Sequence, residues 1–148
     1  MRFIIKIIFV ILVTLCYVEV QAQNCTKCDI QTLKTVEQGL ESLNFDLVYS
    51  LVCTLDSSCI NNVEFGEWSN ELIHKVLIKD VNLLNQVLHK LGWKYIMLVT
   101  KELQNPVIEY DYQQLFKIIK MAEGPKDMLY AEQEAIIIAA KKSGITLD

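Results

Sequence analysis

Four cysteines near the beginning of the chain constrain its fold more than any other feature. Cys25 and Cys28 form a CxxC pair, and after 24 intervening residues come Cys53 and Cys59, with five residues between them. A fifth cysteine, Cys16, lies in the N-terminal segment that is predicted below to be cleaved off, so the mature chain keeps four. An even number of cysteines in a secreted chain of this size is typical of a disulfide framework. We therefore expect two disulfides, each contributing roughly 3 kcal/mol to the stability of a small domain.

The N-terminus predicts secretion through a cleaved signal peptide. Its parts are, in order, Arg2, Lys6, an apolar stretch at residues 7–18 and the cleavage motif Val20-Gln21-Ala22. The apolar stretch is about 12 residues long, whereas roughly 20 are needed to span a bilayer, so an uncleaved membrane anchor is disfavoured. We predict that residues 1–22 are the signal peptide and that residues 23–148 form one secreted, extracellular domain.

The charge of the predicted mature chain excludes two classes of partner. Removing Arg2, Lys6 and Glu19 from 14 basic and 18 acidic residues leaves 12 lysines, 17 acidic residues and a net charge of −5. A nucleic-acid-binding protein needs a basic stripe to neutralise phosphates, and arginine is its usual phosphate ligand. We therefore expect no nucleic-acid partner, no affinity for an anionic membrane and no membrane insertion after signal cleavage.

Hydrophobic periodicity predicts a helical hairpin between the two cysteine pairs. Apolar residues recur every three or four positions in two segments. Gly39 is expected near the end of the first helix, and Asn44 is expected to cap the second. The two apolar faces consist of Ile30, Leu33, Val36, Leu40 and Leu43, and of Phe45, Val48, Leu51, Val52 and Leu55.

This hairpin suggests how the cysteines pair. Antiparallel helices of similar length bring Cys28 opposite Cys53 and Cys25 near Cys59, so we predict nested disulfides. A redox-active CxxC is the first alternative, but no βαβ pattern surrounds the motif. A four-cysteine zinc site is the second, and it is disfavoured because thiolates in an oxidising compartment form disulfides.

Most of the remaining chain also has helical periodicity. Asp80 and Asp111 are expected to cap helices, and Gly92 and Gly144 are expected to follow helix ends. The segment Trp93–Leu103 fits a strand or a buried helix, and we predict a helix because no second strand is available to pair with it. The expected fold is all-α, a small irregular bundle of six or seven helices with a disulfide-stapled N-terminal hairpin.

No residue pattern predicts catalysis or a metal site. The sequence has no nucleophile elbow, glycine-rich phosphate loop or HExxH motif. His74 and His89 lie on different predicted helices and are interpreted as surface histidines. Glu132 and Glu134 have a spacing that is common on solvated helix faces. We therefore predict no catalytic residue, no metal ligand, no cofactor and no enzymatic activity.

Two aromatic pairs are the candidate binding residues. Phe65 and Trp68 form the first pair, and Tyr110 and Tyr112 form the second, among acidic residues after a proline break. Aromatic side chains are favoured at the centres of protein interfaces. The two tyrosines also fit a sulfation site. The competing interpretation is that they cover the core where a helix begins, as amphipathic side chains often do.

These features together predict a non-enzymatic secreted protein that binds another extracellular protein, as a signal, an effector, or a seminal or salivary factor does. The alternative is an extracellular carrier of a small hydrophobic ligand. Its expected cavity would be lined by residues such as Trp93, Met97, Leu115 and Phe116. Asn24 begins a glycosylation sequon, for which we expect poor occupancy because its middle residue is a bridged cysteine.

Overall fold

A computed structural model describes residues 25–147, and each regular element in this range is a helix. The six α-helices are α1 (Ile30–Gln38), α2 (Phe45–Thr54), α3 (Val63–Leu91), α4 (Trp93–Leu103), α5 (Tyr112–Lys120) and α6 (Lys126–Lys142), and Leu40–Ser42 and Ser57–Asn61 are short 3₁₀ helices. The predicted all-α bundle is confirmed. The predicted signal peptide, residues 1–22, and Asn24 lie outside the described range.

Capping side chains set the starts of the helices where the sequence predicts them. Asn44, Asp80 and Asp111 each accept a hydrogen bond from a backbone N–H three residues later. At Asp80 the backbone leaves the helical region, with φ −156° and ψ 83°, so α3 is two helical segments joined at a kink. Gly92 ends α3 with φ 88°, a conformation that favours glycine.

Helix α3 lies at the centre of the bundle. It packs against α1, α2, α4 and α5, while α6 packs against α4 and α5. The side chains of Leu72, Ile73, Val76 and Leu77 are fully buried on it. Burying each such side chain contributes about 1.5–3 kcal/mol to the stability of the fold. All four belong to one cluster of buried apolar residues. Within the described range, no helix is both long enough and apolar enough to cross a membrane.

The two disulfides staple the N-terminal hairpin, but their pairing differs from the prediction. Cys25 is bonded to Cys53 and Cys28 to Cys59, with Cα–Cα distances of 5.4 and 5.5 Å. The bridges are therefore crossed along the sequence, and the nested prediction is wrong.

The reason is a turn that precedes α1. Cys28 has φ 55°, and α1 begins only after it, at Ile30. The turn wraps around Thr54: the N–H of Cys28 donates to the carbonyl of Thr54 at 2.9 Å, and the Thr54 hydroxyl donates to the carbonyl of Thr26 at 2.7 Å. The nested prediction assumes that α1 continues in a straight line back through Cys28 and Cys25. The turn instead leaves Cys25 beside Cys53 and directs Cys28 towards Cys59.

Candidate functional site

The aromatic residues predicted to bind a partner are mostly part of the core. Phe65 and Tyr112 are 2% and 3% exposed, and the Tyr112 hydroxyl accepts a hydrogen bond from Ser143 Oγ at 3.1 Å. Trp68 and Tyr110 are half-buried and pack against the same core. Phe65 and Tyr112 present almost no surface to a partner. For Tyr112 the interpretation that it covers the core at the start of a helix fits better, whereas Phe65 lies beneath the groove described below.

His74 is buried, which corrects its interpretation as a surface histidine, whereas His89 is exposed as predicted. The Nδ1 atom of His74 lies 2.8 Å from the carbonyl oxygen of Asn70, so this nitrogen carries the proton. Burial lowers the pKa of His74, because the charged imidazolium would lose its hydration. Its ring stacks on Tyr110, whose pKa is raised to about 12, mainly by burial.

Asn70 fixes the segment between α4 and α5 against α3. Its Nδ2 lies 2.8 Å from a carboxylate oxygen of Glu102 and 3.1 Å from the carbonyl oxygen of Asn105. Its Oδ1 accepts from the backbone N–H of Val107 at 3.1 Å. These bonds satisfy backbone groups that would otherwise be unpaired in a partly buried loop. The chain around Val107 is therefore held in one position.

An open groove lies beside this segment, and we call it the disulfide groove. It has a volume of about 310 Å³ and is lined by the second 3₁₀ helix, the first turns of α3, the last turns of α4 and the segment at Asn105 and Val107. Its most exposed apolar side chains are Ile60 (77% exposed), Val63 (68%) and Val107 (44%). The Cys28–Cys59 disulfide links the 3₁₀ helix that carries Ile60 to the turn before α1.

Charged side chains of both signs border the disulfide groove. Glu67 on α3 and Lys101 on α4 are exposed lining residues, and neither forms an ion pair with another residue in the range 25–147. Asp56 is paired with Lys94 at 3.3 Å. The pKa of Asp56 falls to about 2, first because it accepts hydrogen bonds from Ser58 and then because of Lys94. The groove thus offers apolar contact with two unpaired charges at its edge.

The hydroxyl groups that line the disulfide groove belong to two serines, Ser57 and Ser69. Ser57 is exposed, whereas Ser69 is buried and its hydroxyl donates to the carbonyl of Gly66. No histidine lines the groove. Among residues 25–147, no group of His, Cys, Asp and Glu side chains is arranged to hold a metal ion.

The residues proposed for a carrier cavity do not enclose one. Trp93 and Met97 on α4 are 55% and 51% exposed, whereas Leu115 is 1% exposed in the core and Phe116 is half-buried. Side chains that are half in solvent cannot line a closed cavity together with a core residue. The four residues therefore do not line one cavity together, although Phe116 lines a separate open groove.

Sequence reasoning also misplaced Glu132, which is fully buried in α6. Neither carboxylate oxygen has a hydrogen-bond partner among the described residues, and burial raises the pKa of Glu132 to about 8. A signal for this burial exists in the sequence, because Met128, Ala135 and Ala139 occupy the same helical face at spacings of four and three residues. Burial thus favours the protonated, neutral form of Glu132.

Comparison with known proteins gives no family for this chain. No protein-family model, curated protein or solved structure matches it. Its function is therefore inferred from the disulfide groove and the other features of the described residues.

Proposed function

We propose that this chain is a secreted, non-enzymatic protein that binds another extracellular protein through the disulfide groove. One observation carries the proposal: the exposed apolar side chains Ile60 (77%) and Val63 (68%) both line an open groove. The Cys28–Cys59 disulfide fixes the 3₁₀ helix that carries Ile60. Apolar side chains clustered at a concave surface are typical of interaction sites. The two disulfides support an oxidising compartment, where such bonds persist.

The size of the groove favours a partner segment over a large small-molecule ligand. About 310 Å³ is at the lower end of the range for ligand pockets, and the groove is open to solvent. A few apolar side chains of a partner fill such a space, and the surrounding backbone needs no rearrangement. Preorganisation of this kind lowers the entropy lost on binding.

The charges at the edge specify the partner further. Lys101 and Glu67 lie on the two helices that border the groove, and both lack an ion-pair partner in the described part of the chain. We infer a partner segment with apolar anchors, an acidic residue facing Lys101 and a basic residue facing Glu67. Such complementary charges at an interface rim contribute mainly to specificity and association rate.

A peptide-display selection tests this proposal with the full secreted protein, its disulfides intact. Random peptides are selected on the wild-type protein, and the affinity of each enriched peptide is then measured for Ile60→Asp and Val63→Asp. We expect apolar peptides that bind each variant at least about tenfold more weakly, because a carboxylate in the groove opposes burial. Tyr130→Asp is the matched control, since Tyr130 is 65% exposed but lies outside the groove.

Two results would overturn the proposal. One is that no peptide is enriched on the wild-type protein. The other is that the enriched peptides bind Ile60→Asp and Val63→Asp as tightly as they bind Tyr130→Asp. Thermal unfolding of every variant confirms that a lost affinity comes from a folded protein.

Secretion is tested by the mass of the protein recovered from the medium of eukaryotic cells. We expect an N-terminus at Gln23 and a mass that is four hydrogen atoms below that of the reduced chain, since each of the two disulfides removes two. Retention of the full chain within the cell, or free thiols in the secreted protein, would contradict the proposed extracellular role.

A further inference from the structure

A second groove, which we call the C-terminal groove, lies between α5, the last turns of α6 and the residues after α6. It is lined by Phe116, Lys120, Ile137, Lys141 and residues 145–147, and its volume is about 590 Å³. This volume lies within the usual range for small-molecule sites, and one side is open to solvent. The C-terminal groove shares no lining residue with the disulfide groove.

A turn at Gly144 builds one wall of this groove. Gly144 has φ 73°, its N–H donates to the carbonyl of Lys141 at 3.1 Å, and the N–H of Ile145 donates to the carbonyl of Ala140 at 2.9 Å. This pair of bonds is the Schellman motif, which reverses the chain at a helix end. The reversal carries the chain back to Leu147, which packs against the core.

The floor and walls of the C-terminal groove are largely apolar and incompletely covered. Ile137 and Ile145 are 38% and 44% exposed, and Phe116 is half-buried. Covering apolar area contributes about 25 cal/mol for each Å² removed from water. A hydrocarbon chain laid along these side chains would therefore be stabilised.

Among the described residues that line the C-terminal groove, the charged ones are both lysines. Lys120 lies on α5, with its Nζ 5.3 Å from the centre of the Phe116 ring, and Lys141 lies on α6. Neither lysine forms an ion pair with another residue of the range 25–147, and none of the described lining residues is acidic. The contact with Phe116 holds the Lys120 ammonium at the wall of the groove.

We propose that the C-terminal groove binds a free single-chain amphiphile with an anionic head group, such as a medium-chain carboxylate. The hydrocarbon chain lies along Phe116, Ile137 and Ile145. The head group, which is ionised at neutral pH, pairs with Lys120 or Lys141. This binding is independent of the protein partner proposed for the disulfide groove.

The test is a titration of the full secreted protein with sodium dodecanoate at neutral pH, below the micelle concentration, followed by the NMR shifts of backbone amides. We expect saturable shifts clustered at Phe116, Ile137 and residues 145–147. Dodecyltrimethylammonium has a hydrocarbon chain that is one carbon longer and the opposite charge, and acetate has the carboxylate without the chain. Both should bind at least about tenfold more weakly than dodecanoate.

Variants separate the apolar from the electrostatic contribution to the affinity for dodecanoate. Ile137→Asp should abolish dodecanoate binding, and the double variant Lys120→Met with Lys141→Met should weaken it about fivefold, as expected for exposed ion pairs. Lys126→Met is the matched control, because Lys126 is an exposed lysine of α6 outside the groove, and it should bind as the wild type does. Thermal unfolding verifies that each variant is folded.

Three results would overturn the proposal: amide shifts centred away from the groove, equal affinity for the cationic amphiphile, or a double lysine variant that binds as Lys126→Met does. Vesicles of phosphatidylglycerol distinguish a free ligand from a membrane. We expect no co-sedimentation, because the predicted mature chain has a net charge of −5, from 12 basic and 17 acidic residues. Vesicle binding that depends on Lys120 and Lys141 would replace the free amphiphile with a lipid surface.

Discussion

The imidazole of His74 stacks on the ring of Tyr110, with ring centroids 4.4 Å apart and ring planes 7° apart. His74 belongs to α3, and Tyr110 belongs to the segment that enters α5. One helical turn before His74, Asn70 holds the same segment through the N–H of Val107. Two neighbouring side chains of α3 therefore fix the segment that borders the disulfide groove.

Removing the Tyr110 ring should release this segment. We expect Tyr110→Leu to lower the free energy of unfolding by about 1.5 kcal/mol, through lost stacking and imperfect packing. The backbone amide of Val107 should then exchange hydrogen faster. Urea unfolding and amide exchange measure the two effects. Tyr130→Leu is the control, because Tyr130 is 65% exposed, and an equal loss of stability in both variants would contradict a specific role of Tyr110.

Asn70 should be more costly to replace. Asn70→Ala leaves the Val107 N–H and the Asn105 carbonyl without their partner, and we expect a loss of about 3 kcal/mol in urea unfolding. Gln86→Ala changes an exposed polar residue of the same helix and should shift stability by less than about 0.5 kcal/mol. Similar effects of the two substitutions would show that the Asn70 hydrogen bonds contribute little.

The buried carboxyl of Glu132 predicts an unusual dependence of stability on pH. Its pKa rises from 4.5 to about 8 on folding, so between these values the folded state binds more protons than the unfolded state does. The free energy of unfolding therefore falls as the pH rises from about 5 to about 8. The full loss is on the order of 5 kcal/mol.

Glu132→Gln isolates this contribution, since glutamine does not titrate. The stability of the variant minus that of the wild type should increase from pH 5 to pH 8, as measured by urea unfolding at each pH. The subtraction is needed because His74 also titrates. Its pKa is lower in the folded protein than the unfolded value of 6.5, so His74 reduces the free energy of unfolding as the pH falls below 6.5. A difference that stays constant with pH would show that Glu132 is charged in the folded protein.

The crossed disulfides are testable by digestion without reduction. Lys-C cleaves after Lys27, between the first two cysteines, and chymotrypsin cleaves after Leu55, between the last two. We expect the fragment with Cys25 to remain joined to the one with Cys53, and mass spectrometry identifies each linked pair. A fragment that joins Cys25 to Cys59 would restore the nested pairing and contradict the turn around Thr54.

Local signals in the sequence were sufficient to predict the helices. Asn44 and Asp80 act as caps, and Gly92 ends a helix, because these roles depend on residues within three or four positions. The all-α bundle follows from such signals together with the periodicity of apolar residues. The helical conformation of Trp93–Leu103 also agrees with the prediction.

The features that sequence reasoning missed depend on residues that are distant along the chain. The disulfide pairing follows from hydrogen bonds between Thr54 and the turn 28 residues earlier. His74 is followed by the charged residue Lys75, and its ring stacks on Tyr110, 36 positions later. The disulfide groove joins residues of α3 and α4 that no local pattern relates. The exposure of Ile60 and Val63 became visible only in the structure.

The most direct test of the disulfide groove is amide hydrogen exchange of the secreted protein with and without a peptide selected on it. We predict slower exchange at residues 60–66 and 98–107, which surround Ile60, Val63 and Val107, and unchanged exchange around Tyr130 on α6. Protection confined to α6, or no protection at saturating peptide, would contradict binding through the disulfide groove.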